Sequence, residues 1–143
     1  MENRLLAENY LLQLQKNDEI AFVPRGDSMW PFIKNKGQTV VIEKKTDRLN
    51  KFDVGFYASS DGSAVLHRVL EVLKDGYIFC GDSQFNPEFV AEDNVFGVMK
   101  GQYKNAKFVE NTDKKLLKKV KKWYKCNFIR KVKVRLFYLL KRI

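Results

Sequence analysis

The residues best suited to catalysis are one serine and the single histidine of the chain. Ser28 lies in GDSMWPFI, residues 26–33, a stretch that begins with turn formers and contains a proline that ends regular structure. His67 lies in AVLHRVLEV, residues 64–72. A serine hydroxyl needs a base within hydrogen-bond reach, and a neutral imidazole can be that base. Taken singly, a turn serine and a histidine among valines are more typical of a bend and a core residue.

Short strands must position these two residues. Runs rich in β-branched and aromatic residues alternate with Gly, Asp, Ser and Asn clusters, a pattern that predicts a compact, mainly antiparallel β domain over residues 19–110. With a period of two, Val65, His67 and Val69 share one face of their strand. The predicted strands cover residues 19–24, 38–44, 54–58, 64–73, 77–80 and 94–103.

Helical patterns flank the β domain on both sides. Leucines at mixed spacings of 3 and 4 predict a short amphipathic helix over residues 2–16, within an N-terminal segment 1–18. Residues 111–143 form a tail in which apolar residues recur at helical spacing among lysines and arginines. This pattern predicts a basic amphipathic helix, or two with a break near Asn127, capped by Thr112 or Asp113.

The net charge of +10 belongs to the tail. Residues 113–143 carry 13 basic residues and one acidic residue, a net of +12, which leaves 14 basic and 16 acidic residues, a net of −2, for residues 1–112. A cationic amphipathic tail fits an anionic membrane surface, with aromatic side chains at the headgroup level. The alternatives are packing on the β domain or a second subunit, and nucleic acid, which explains the lysines but not the apolar stripe. The aromatic residues concerned are Trp123, Tyr124, Phe128, Phe137 and Tyr138.

No apolar run reaches the roughly 18 residues that a membrane-spanning helix needs, and the first 16 residues lack the apolar core of a secretory signal. Cys80 and Cys126 match no metal-ligand spacing and indicate no disulfide framework. We therefore expect a cytoplasmic protein, peripheral at the inner face of the membrane, with no cofactor and no metal.

Four motifs in order carry a family resemblance. Gly-x-Ser-Met-x-Pro at 26–31, His-Arg-Val at 67–69 and Gly-Asp at 81–82 resemble signal peptidase I in its Ser-His branch. KFDVGFY at 51–57 is similar to the family's Gly-Asp-Ile-Val strand, with Phe52 in place of the glycine. The similarity covers roughly residues 19–103. It implies a β domain of the signal peptidase/LexA-like type, in a short form without the N-terminal transmembrane anchor, and a serine endopeptidase that cleaves a leader or signal segment.

The resemblance also implies residue roles. Ser28 matches the nucleophile, and His67 occupies the position of the general base. Asp82 matches the family's first acid, and Glu88 lies where the Ser-His enzymes carry the acid that orients the histidine. We expect Glu88 to orient the imidazole and Asp82 to give structural support; otherwise Asp82 closes an Asx turn and Glu88 is a solvated loop residue.

The substrate is expected to lie extended beside a strand near Ser28, with small residues before the cut. Gly26 and Met29 are predicted to border it. Position 26, where many family members carry an oxyanion-binding Ser or Thr, is glycine here, so the backbone N–H of Ser28 is the predicted oxyanion donor.

Two other functional classes fit the same motifs. One is a LexA-like regulator that cleaves itself and binds DNA, although that group uses lysine as its base and 18 residues before the β domain are too few for a helix-turn-helix module. The other is a non-catalytic module that binds a peptide in its groove.

Overall fold

The computed structural model of the chain describes residues 7–35 and 37–142. Within them a short helix precedes eight strands, and two further helices follow. The chain divides into two compact units, Met1–Asn111 and Thr112–Ile143. None of the helices in the described residues is long and apolar enough to cross a membrane.

Helix α1 (Ala7–Asn17) lies within the predicted N-terminal segment, and residues 2–6 of the predicted helix fall outside the described residues. Leu14 is fully buried against the β domain, which agrees with an amphipathic helix that packs by one face. The helix ends where Asp18 adopts a left-handed φ of 62°.

All six predicted strands are present, and the sequence pattern missed two more. β6 (EFVA) and β8 (KFVE) are only four residues long, too short for alternation to reveal. The strands are β1 (Glu19–Phe22), β2 (Thr39–Lys44), β3 (Val54–Ala58), β4 (Ala64–Leu73), β5 (Gly76–Cys80), β6 (Glu88–Ala91), β7 (Val95–Lys104) and β8 (Lys107–Glu110), with a 3₁₀ turn at Glu92–Asn94.

The strands form one antiparallel sheet in the order β1-β2-β7-β3-β4-β5-β6, with β8 paired to β7. The expectation of a mainly antiparallel β domain with a short N-terminal helix and a helical tail is therefore confirmed. Register shifts occur between Val41 and Ile42, between Phe56 and Tyr57, and between Val69 and Glu71. Such bulges bend strands and curl the sheet.

Two apolar clusters fill opposite faces of the sheet. Phe56 belongs to the first cluster and Tyr57 to the second, because consecutive residues of a strand point to opposite faces. The first cluster also holds Leu14 of α1 and Met29, the residue after Ser28. The core thus anchors the serine-bearing loop directly.

The tail consists of α2 (Lys114–Lys125) and α3 (Asn127–Lys141). The predicted break lies at Cys126, one residue before the expected position, and Asp113 rather than Thr112 caps α2 by accepting a hydrogen bond from the Leu116 N–H at 3.0 Å. Leu116 and Val120 give α2 a buried apolar side. Lysines occupy the rest of its circumference.

The β7–β8 hairpin yields a stability prediction. Its two turn residues, Asn105 and Ala106, have φ values of 51° and 68°, the conformation of a type I′ turn, which favours Asn-Gly. Because a left-handed alanine is strained, Ala106→Gly should raise the free energy of unfolding by about 1 kcal/mol, measured by urea denaturation. Ala21→Gly in strand β1 is the matched control and should lower it; a loss of stability in both variants would contradict the turn assignment.

Candidate active site

The Ser28 loop connects β1 to β2 through a tight turn. The carbonyl of Met29 accepts hydrogen bonds from the N–H groups of Phe32 and Ile33 at 3.0 and 2.9 Å, and the Met29 side chain is 5% exposed. Gly26 has a φ of 79°, a left-handed conformation that explains glycine where the resemblance expects Ser or Thr. Ser28 is therefore held at the start of a turn whose next residue lies in the core.

A second loop, residues 81–83, hydrogen-bonds to the backbone around Ser28. The Ser83 N–H donates to the Ser28 carbonyl at 3.0 Å, and the Ser83 hydroxyl donates to the Asp27 carbonyl at 2.7 Å. A Cβ at Gly81 would lie only 2.6 Å from the Ser28 oxygen, so only glycine allows this approach. The Gly-Asp-Ser sequence at 81–83 thus positions the serine.

A buried ion pair connects this loop to the histidine strand. Arg68, next to His67 in β4, donates from Nε and Nη2 to the two carboxylate oxygens of Asp82 at 3.1 and 2.7 Å. Its Nη1 donates to the Phe52 carbonyl at 3.0 Å. The side chains of Arg68 and Asp82 are 2% and 0% exposed. A bidentate, fully buried pair of this kind constrains the relative position of the two segments.

His67 is oriented by a tyrosine. The Tyr57 hydroxyl lies 3.1 Å from His67 Nδ1 and donates a hydrogen bond to Glu88 Oε1. Since a tyrosine has a single O–H proton and Glu88 takes it, the Tyr57 oxygen must accept from His67 Nδ1–H. The histidine is therefore the tautomer whose Nε2 carries a free lone pair, as a general base requires.

The surroundings keep this imidazole neutral. Burial lowers the pKa of His67 below its usual value, while the negative charges of Glu88 and Asp82 act in the opposite direction. Burial, reinforced by the bond to Glu88, raises the pKa of Tyr57, which therefore stays protonated. The imidazole can accept a proton at neutral pH, and the nearby carboxylates would stabilise the cation that forms.

Ser28 and His67 line one pocket of about 300 Å³, which Gly26 and Met29 also border. Much of the remaining wall is apolar. It includes all of Ala64–His67, the first four residues of β4. The other apolar lining residues are Tyr10, Phe22, Pro24, Ile33 and Phe56, and Arg25 and Gln84 add polar groups.

One edge of β4 is open at this pocket. The pairing of β4 with β5 begins at Arg68 and Cys80, whereas β3 pairs with β4 from Ala64 onward. Within the described residues, no strand pairs with residues 64–67 on the side away from β3. Backbone groups of that segment can therefore pair with an extended ligand.

The structure brings four of the six sequence-predicted site residues to the pocket: Ser28, His67, Gly26 and Met29. Asp82 instead pairs with Arg68, and Glu88 reaches His67 through Tyr57. Tyr57 and Arg68 were missed. The signal for Tyr57 was the β3–β4 hairpin: with Ala58 opposite Ala64, Tyr57 and His67 become diagonal neighbours on one face.

Within residues 7–35 and 37–142, no three His, Cys, Asp or Glu side chains are grouped as metal ligands would be. Neither Cys80 nor Cys126 forms a disulfide with another described residue. No family model, curated protein or solved structure matches the chain.

The ion pair between Arg68 and Asp82 yields a second stability prediction. Asp82→Asn leaves a buried guanidinium without its counter-charge, so the free energy of unfolding should fall by about 3–5 kcal/mol in urea denaturation. Glu19→Gln removes the surface pair with Lys100, whose side chains are 49% and 45% exposed, and should cost far less. Equal losses in the two variants would contradict a structural role for the buried pair.

Proposed function

We propose that this chain is a serine endopeptidase of the signal peptidase I type, in which Ser28 is the nucleophile and His67 the general base. The observation that carries the proposal is the hydrogen-bond chain from His67 through Tyr57 to Glu88, beside a serine in the same pocket. The chain engages Nδ1 of His67, and the same residue lines a pocket together with Ser28, as a general base and a nucleophile would. The order of motifs in the sequence supports the same assignment.

Acylation follows from these groups. Ser28 Oγ attacks the scissile carbonyl carbon while His67 Nε2 takes its proton, and the resulting oxyanion accepts a hydrogen bond from the Ser28 backbone N–H. The imidazolium keeps donating from Nδ1 to Tyr57, and the charge of Glu88 offsets its positive charge. His67 then gives the proton to the leaving amine as the C–N bond breaks, which leaves an ester on Ser28.

Deacylation repeats the proton transfer with water. His67 Nε2 removes a proton from a water molecule that attacks the ester carbonyl, and returns it to Ser28 Oγ as the acyl group leaves as a carboxylic acid. Tyr57 and Glu88 do not touch the reacting atoms; they are positioning residues that hold the ring and stabilise its charged form.

The substrate is a leader or signal segment in extended form. It would add as a strand to the open edge of residues 64–67, with the Ser28 loop as the opposite wall of the groove. Strand addition uses main-chain hydrogen bonds, so affinity is spread along the segment and side-chain choice depends on the apolar pocket. The resemblance adds the preference for small residues just before the cut.

The dyad predicts the reactivity of Ser28. A serine-reactive fluorophosphonate should label the wild-type chain at Ser28, not label Ser28→Ala at all, and label His67→Ala roughly 10²–10⁴ times more slowly, the usual contribution of a general base. Labelling rates by intact-mass spectrometry, together with cleavage of a library of extended peptides, measure this.

Ser63→Ala, a turn serine outside the pocket, is the matched control and should label normally. Undiminished labelling of the His67 variant would contradict the assignment of Ser28 and His67 as a catalytic dyad. An unlabelled wild-type Ser28 would instead favour a non-catalytic peptide-binding module. A mass loss in the chain itself on incubation would favour a self-cleaving regulator.

The hydrogen-bond chain from His67 through Tyr57 to Glu88, here called the relay, predicts a change in the pH dependence of labelling that is distinct from a change in the maximal rate. Because burial lowers the pKa of His67, the wild-type labelling rate should persist below pH 6.5 and fall only as lower pH protonates the ring. Glu88→Gln removes a negative charge that raises this pKa, so the fall of the labelling rate at acidic pH, the acidic limb of the profile, should move to still lower pH. Tyr57→Phe should reduce the plateau rate by roughly ten- to a hundredfold, since Nδ1 loses its acceptor.

Tyr77→Phe, another buried tyrosine, serves as the control for the loss of a hydroxyl and should leave the labelling rate unchanged. If Glu88 acted only on folding, Glu88→Gln would lower the amount of active protein without moving the acidic limb. That result would contradict the relay.

A further inference from the structure

Six apolar side chains on one side of α3 are open to solvent. At about 100° per residue, their positions fall within a single arc of roughly 120°, with Lys131 and Arg135 beyond one edge and Lys133 beyond the other. We call this arc the apolar face. Its members are Phe128 (76% exposed), Ile129 (51%), Val132 (49%), Leu136 (53%), Leu139 (59%) and Leu140 (59%).

The opposite side of α3 is already buried. Arg130 and Val134 are 5% and 4% exposed, and the Arg130 guanidinium stacks on the Tyr124 ring at 4.7 Å. The helix therefore uses its other side for packing, and the apolar face is additional to what folding requires. A contiguous exposed patch of this composition is a typical interaction site.

The aromatic residues behave differently from the sequence-based expectation. Trp123, Tyr124 and Phe137 are half-buried, and among the tail aromatics only Phe128 and Tyr138 are exposed in the described residues. The exposed apolar surface is thus mainly aliphatic. Aliphatic side chains suit the acyl boundary of a bilayer more than the headgroup level.

Charge decides what can cover this face. Thr112–Ile143 carries 13 basic residues and one acidic residue, and seven of the basic residues are lysines of α2. A second copy would bring +12 against +12, which opposes association. Nucleic acid would use the cations and leave the leucines in water. An anionic lipid surface satisfies both the lysines and the apolar face.

We propose that the apolar face of α3 inserts into the surface of a membrane that contains anionic lipids, with its axis in the membrane plane. Lys131, Lys133 and Arg135 lie along the edges of the face, where they would meet lipid phosphates. This inference does not depend on the peptidase activity.

Sedimentation of the full chain with vesicles tests the proposal. The chain should bind phosphatidylcholine vesicles containing phosphatidylglycerol, bind pure phosphatidylcholine at least about tenfold more weakly, and lose affinity as salt is raised. Val132→Ser/Leu136→Ser/Leu139→Ser should weaken binding to the anionic vesicles by about tenfold or more. Leu12→Ser/Val72→Ser/Phe89→Ser, which removes exposed apolar residues elsewhere, is the matched control and should bind normally.

Insertion is read out separately from binding. In a Cys126→Ser background, a polarity-sensitive fluorophore at Leu136→Cys should shift to the blue on anionic vesicles, and one at Lys118→Cys on the lysine side of α2 should not. Equal binding of the α3 triple variant, equal binding to neutral vesicles, absence of binding, or a dimer in solution that the triple variant abolishes would each overturn the proposal.

Discussion

The buried ion pair of Arg68 and Asp82 is the constraint on which the candidate site depends. Two full charges in the interior are tolerated only when each is completely hydrogen-bonded, so the pair accepts very little displacement. Arg68 follows the histidine in β4. Asp82 lies between Gly81, which allows the Ser28 carbonyl to approach closely, and Ser83, which hydrogen-bonds to the backbone around Ser28. An error in the placement of either strand or loop would therefore expose an unpaired charge. The energetic cost of an unpaired buried charge therefore fixes the position of the Ser28 loop relative to the strand that carries His67.

The histidine relay needs a curled sheet. Tyr57 lies in β3 and Glu88 in β6, three strands apart, which in a flat sheet is about 14 Å. Their hydrogen bond therefore requires the sheet to bend, and the register shift between Val69 and Glu71 in the β4–β5 pairing lies between the two strands. Curvature thus has a chemical consequence: it brings a carboxylate to the tyrosine that fixes the tautomer of His67.

Sequence patterns predicted what is local. Alternation located six strands, and turn residues located Ser28 between two of them. The resemblance placed Phe52 where its family has glycine, and Phe52 has a left-handed φ of 74°, the conformation that glycine favours. Register, by contrast, is a property of pairs of strands. Tyr57 could be connected to His67 only once Ala58 and Ala64 were known to face each other, and the partner of Asp82 could not be chosen among 14 basic residues of the body.

The charge of the tail, +12, and that of the β unit, −2, have different consequences. An exposed stripe of leucines would make a neutral protein aggregate, because apolar faces pair with one another in water. With +12 on the same unit, copies repel one another while an anionic surface attracts them. In the proposal for α3, the same lysines suppress self-association and favour adsorption. The β unit, at −2, gains no such attraction, so the proposed adsorption belongs to the tail, none of whose residues lines the pocket of Ser28 and His67.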